Sequence, residues 1–191
     1  MINAVLSFLK STLNNHLRVS GVVHDTQEDQ VIFPPGTNTD TLDLKLGAVS
    51  LLLVRLEQEK VLRAPDLYRR ILPDGSTQVA EPEIRLELYV LFAARYPQYE
   101  DSLRNLSAII SYFQHHRVIT HDTAPELGEN IQQLVLEMVT LSFAEQNEIW
   151  GSLRLHYQPS ALYKVKMIVY QADARPSAAS PVSDLGIEVR G

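Results

Sequence analysis

The stretch "IRLELYVLFAARYPQYEDSLRNLSAIISYFQHH", Ile84 to His116, decides how the chain is read. Its first part alternates: Ile84, Leu86, Leu88, Val90 and Phe92 take turns with Arg85, Glu87, Tyr89 and Leu91. That two-residue period predicts a strand. At Pro97 the period changes, because proline fixes φ near the helical value and lacks the N–H that a first helical residue leaves unpaired. Tyr99, Leu103, Leu106, Ile110 and Phe113 then recur in steps of four and three, the stripe of a helix lying on a core. A strand passing directly into a helix, each with an apolar face, predicts an α+β domain in which the helix covers the sheet.

Working outward, "AVSLLLVRLEQEK" from Ala48 reads as a second strand. Simple alternation puts Ser50, Leu52, Val54 and Leu56 on one face, and Leu51, Leu53, Arg55 and Glu57 on the other. "LVLEMVTLSF" from Leu134 and "ALYKVKMIVY" from Ala161 supply two more strands. Between them, "SFAE" at Ser142 to Glu145 has the form of a capping box opening a short helix, which carries Ile149 and Trp150. At the other end, Ile2, Val5, Leu6, Leu9, Leu13 and Leu17 keep helical spacing over residues 2–18. His24 to Asp40 reads as a loop, and Ala64 to Pro82 as a long excursion turning at "PDGS". The expected fold is a mixed, mainly antiparallel sheet of four to five strands, flanked by two long helices (2–18 and 98–115) and one short one. Leu103, Leu106, Ile110, Phe113 and Trp150 are the expected core anchors.

That domain spans residues 1–170. Beyond it, "QADARPSAASP" has linker composition. Leu185, Ile187 and Val189 follow two apart, a strand-like tip suited to joining the edge of a neighbouring sheet. These three are the candidate partner-binding residues.

Composition removes several classes of function. Seventeen Lys and Arg against twenty-three Asp and Glu give a net charge of −6, and no basic run offers a phosphate-binding patch, so no nucleic-acid partner is expected. With no cysteine, thiolate catalysis, disulfides and cysteine–zinc sites are excluded. No basic leader precedes the first apolar residues, and no apolar run reaches the ~20 residues of a membrane span, so a soluble chain made in the cytoplasm is expected. His115, His116, His121 and Asp122 lie close in sequence, but neighbouring helical residues point about 100° apart, so this spacing fits no metal site. Histidines at a helix C-terminus suit its dipole instead. There is no G-x-S-x-G elbow and no phosphate loop. Glu57, Glu59, Glu87 and Glu137, beside Arg55, Arg85 and Lys164, read as a cross-strand ion-paired face. The expectation is therefore a protein without catalysis or cofactor, acting through contacts.

Four blocks carry a family resemblance: "FLKSTLNNHL" from Phe8, "VRLEQEKVLR" from Val54, "LELYVLFAARYPQYEDSLRNLSAIISYFQ" from Leu86, and "TLSFAEQNEIWGSL" from Thr140 with "YQPSALYKVKMI" from Tyr157. In order and spacing, with Trp150-Gly151 and Pro159-Ser160 in place, the chain resembles the N-terminal-domain family of the tail cap, or terminator, protein of contractile injection systems. These are phage-tail-like particles of the antifeeding-prophage and virulence-cassette type. The chain departs from the family pattern at Arg55, Glu87 and Arg95, where asparagine is usual, and near Arg154, where glycine is common. The resemblance implies a hexameric ring that closes the end of the tube and sheath and limits their length, with itself, sheath and inner-tube proteins as partners, and Leu185, Ile187 and Val189 as the candidate strand added to sheath or tube. It also implies assembly in the cytoplasm into a particle open to release outside the cell. Two alternatives are an oligomeric adaptor or effector-docking module of a similar particle, and a small-ligand or metal-binding domain using His115 to Asp122.

Overall fold

A computed structural model of the chain describes residues 1–20, 28–35, 42–59, 69–71, 77–79, 84–128 and 131–169. The chain divides into two units, Met1–Lys60 with Glu83–Tyr170 and Val61–Pro82 with Gln171–Gly191. In the first unit, α1 (Ile2–Val19), β1 (Val31–Ile32) and β2 (Ala48–Gln58) come first. After the excursion come β5 (Ile84–Arg95), α2 (Tyr99–His115), β6 (Val118–Thr120), β7 (Ile131–Val139), α3 (Phe143–Leu153) and β8 (Ser160–Val169). The described part of the second unit is an antiparallel hairpin, β3 (Arg69–Ile71) with β4 (Thr77–Val79). It falls within the excursion expected between strands, and the "PDGS" turn itself lies outside the described residues.

The six strands of the first unit form one sheet in the order β1-β2-β5-β8-β7-β6. Only β1 runs parallel to its neighbour; the other pairs are antiparallel. The mixed α+β class therefore holds, with six strands in place of four to five. The extra strands are the two edges, of two and three residues, too short for any hydrophobic period to show.

Strand alternation splits the core in two. Val49, Leu51, Leu88, Val90, Phe92, Tyr163 and Val165 lie on the face covered by α1 and α2. Leu52, Leu91, Ala93 and Leu162 face the other way, under Trp150 of α3 and Leu44. The predicted capping box is present. The Ser142 hydroxyl accepts from the Glu145 N–H at 3.3 Å, and the Ser142 N–H donates to the Glu145 carboxylate at 2.8 Å. The strand before it stops at Val139, short of the expected Phe143, because Ser142 is already committed to the helix start.

Two further expectations are corrected. β2 does not alternate throughout: its register with β5 shifts between Leu53 and Arg55. A bulge inserts one unpaired residue and reverses which side chains share a face. Leu56 pairs with Leu88 on the helix side, whereas Arg55 pairs with Tyr89 and Glu57 with Glu87 on the far side. In α2 the buried stripe is Ser102, Asn105, Leu106, Ile109 and Phe113. Leu103 is 45% exposed, against its expected place in the core. The buried stripe is turned by about one position from the expected one, and at the first turn the inward-facing Ser102 Oγ accepts from the Tyr96 N–H (3.3 Å).

α1 holds the sheet edge through one side chain. Asn14, almost fully buried, accepts from the N–H groups of Gln30 and Val31 and donates to the Val31 carbonyl, each at 2.8 Å. These bonds fix β1 against the helix that covers it.

Candidate interaction surface

The far face of the sheet has two halves. Under α3 it is apolar, with Trp150 buried and its ring edge-on to the exposed Tyr157 at 5.7 Å. Beyond α3 it becomes a ladder of charge across four strands. Arg55 pairs with Glu57 and lies over the Tyr89 ring, 5.5 Å from its centroid. Arg85 reaches Glu59 at 3.9 Å. Lys164 sits between Glu87 (3.5 Å) and Glu137 (3.7 Å), and Lys166 and Arg117 approach Glu137 at 3.2 and 3.5 Å. The bulge in β2 makes this possible, since it turns Arg55 and Glu57 onto the side of Tyr89, Glu87 and Lys164.

The Lys166 hydrogen bond, with the charges of Lys166, Lys164 and Arg117, holds the Glu137 carboxyl below the usual carboxylate range against a small opposing effect of burial. Tyr89 is pushed up by burial, then by its hydrogen bond to Glu57. Each of Glu57, Glu87 and Glu137 thus has a cation beside it.

At the end of the sheet near β6, a groove of about 430 Å³ is lined by Ile110, Phe113, Leu136, Met138 and Tyr163 together with the polar Gln114, Arg117 and Glu137. β6 covers only Gln133 to Val135 of β7. The Leu136 N–H still reaches the Arg117 carbonyl at 2.9 Å. In an antiparallel strand alternate residues aim their backbone groups to the same side. The N–H and C=O of Met138 therefore point out of the sheet, with no strand beside them among the described residues. The Met138 side chain, 55% exposed, lies over the groove.

The histidines serve the helix end. His115 and His116 meet the carbonyls of Ser111 (2.7 Å) and Tyr112 (3.0 Å) through Nδ1. His116 stacks on Tyr112 with centroids 4.2 Å apart, and His16 of α1 meets the same ring at 4.8 Å. Burial, followed by the charges of His116 and His115, lowers the pKa of His16. His121 and Asp122 fall in the exposed turn after β6. Among the described residues, no group of three or more His, Asp or Glu is placed to hold a metal ion.

Of the other expected residues, Leu106, Phe113 and Trp150 are buried, Ile110 is half-buried at the groove, and Leu103 faces outward. Leu185, Ile187 and Val189 lie outside the described residues. Sequence reasoning missed Asn14, Ile109 and Met138. For Asn14 there was a signal, a polar residue beside Leu13 and Leu17 on an apolar stripe. For Met138 there was none, because an open edge depends on where a neighbouring strand stops.

The model of a family described as the Pvc16 N-terminal domain matches residues 4–184. In structure the chain is similar to the anti-feeding prophage cap, a tube-terminating cap, with TM-score 0.54 and 17% identity over 94% of this chain and 59% of that one. It is also similar to the sheath/tube terminator of PVC, an extracellular contractile injection system, in its extended state. That match has TM-score 0.55 and 15% identity over 95% of this chain and 62% of that one. The chain thus spans about three fifths of the length of each. Among curated proteins, none matches it in sequence. The chain belongs to the Pvc16 N-terminal domain family.

Proposed function

We propose that the chain is a structural cap of a phage-tail-like contractile injection system, closing the end of tube and sheath and limiting their length. What carries this reading is that nearly the whole chain, 94–95% of it, takes the fold of two terminator caps. The ion-paired sheet face supports it. Exposed pairs contribute only about 0–1 kcal/mol each to stability, so a ladder of them is better suited to matching a partner's charges than to holding the fold. The cap is a ring, six copies closing on one another, and it binds sheath and inner-tube subunits without catalysis. Six copies turn modest contacts into tight binding through effective concentration. It is put together in the cytoplasm and leaves with the particle. Leu185, Ile187 and Val189 lend a strand to a neighbouring subunit.

The test is electron microscopy of particles made without the chain. The expected result is tails of abnormal length, or none; tails of normal length and number would overturn the reading.

A further inference from the structure

We infer that the open edge of β7 at Met138, with the groove beside it, is the acceptor for the C-terminal segment Asp184–Arg190 of a second copy of this chain. The inference rests on the reading of the chain as a ring-forming cap and names one contact that would close the ring.

Three independent features define the occupant. Met138 offers an outward N–H and C=O beyond the last bond of β6, and such groups are satisfied best by another extended backbone. On the helix side of that edge, the groove of about 430 Å³ offers the exposed Met138 and half-buried Ile110 to apolar side chains, over a floor of buried Phe113, Leu136 and Tyr163, with Gln114 and Arg117 also in its lining. On the far side stands an excess of positive charge. Three cations, Arg117, Lys164 and Lys166, surround Glu137, with only Glu87 sharing Lys164. In a chain of net charge −6, this is a local reversal of sign. The occupant is thus an extended segment, apolar on one face and acidic on the other.

"DLGIEVR" has that composition. In a strand, Leu185, Ile187 and Val189 share one face, while Asp184 and Glu188 share the other, with Arg190 at the end. Apolar residues toward the groove leave the two carboxylates toward Lys164 and Arg117. Residues 170–184, at ~3.3 Å each, reach up to about 50 Å, roughly twice the width of a six-stranded sheet at ~4.8 Å per strand. Donor and acceptor are different surfaces of one chain, so the contact is heterologous, the kind that a closing rotation repeats into a ring.

The absence of cysteine makes the test direct. Full-length Met138→Cys is mixed with full-length Ile187→Cys under mild oxidation, without sheath or tube protein, and the disulfide-linked heterodimer is measured by mass. The control pairs Ile187→Cys with Val19→Cys, a position 89% exposed at the end of α1. The expected yield is at least about tenfold above the control, because docking raises the effective concentration of the two thiols. It should fall back to the control level when Lys164→Glu is added to the Met138→Cys chain. A yield equal to the control overturns the inference, and so does a Met138→Cys/Ile187→Cys double variant that closes only within single chains. A failed cross-link alongside abnormal tails in particles lacking the chain would remove this acceptor and leave the cap reading standing.

Discussion

Asn14 shows how much one buried polar side chain can decide. It makes three hydrogen bonds to the backbone of Gln30 and Val31, and so satisfies both an incoming strand and its own amide. Truncation would leave buried backbone groups unpaired, at a cost of about 1–3 kcal/mol. Asn14→Ala should lower the stability of the domain by about 2–3 kcal/mol in a denaturant titration, with the loss of amide protection centred on Val31. Arg154 works in the opposite direction. It ends α3 at φ 55°, the left-handed region in which glycine alone carries no penalty. Arg154→Gly should therefore raise stability by about 0.5–1 kcal/mol, measured the same way. The residue scale is where sequence was least informative. That glycine suits position 154 is visible only once the helix end is seen, and a lone asparagine on an apolar stripe does not name its partner.

At the scale of elements, hydrophobic period found the long strands and the two long helices among the described residues, because burial of a whole face is what makes each of them stable, while the capping box found α3. The period failed in two places. In α2 the buried stripe takes in Ser102, bonded to the Tyr96 N–H, and the bulge after Leu53 resets β2. Two substitutions in α2 separate the period from the structure. Leu106→Asp places a charge at a site 6% exposed and should unfold the domain by circular dichroism, whereas Leu103→Asp, at 45% exposure, should stay within about 0.5 kcal/mol of the parent. The charged ladder makes a prediction in pH. Because the Lys166 bond and the nearby cations lower the Glu137 pKa in the folded state, its contribution is present above the ordinary carboxylate pKa and is lost as pH falls through the lowered value. Melting temperature should thus fall less steeply from about pH 5 to 3 in Glu137→Gln than in the parent. Equal slopes would mean that the ladder contributes nothing to the fold.

For the whole molecule, one face of the sheet is covered by α1 and α2, and the other is half covered by α3 and half a bare ladder of charge. The ion-paired face was legible in the alternation of Glu57, Glu87 and Glu137 with cations on adjoining strands. Its extent was not, because it depends on the bulge that turns Arg55 toward Tyr89. The groove beside Met138 was invisible in sequence for a similar reason: it exists because β6 is only three residues long. The proposed cap acts by position, so its place in the particle is the property to measure. The most direct measurement is gold labelling of a C-terminally tagged chain on intact, extended particles under the electron microscope. The account predicts label at one end of each full-length tail and nowhere along the shaft. Label spread along the shaft, or confined to particle contents released on contraction, would contradict it.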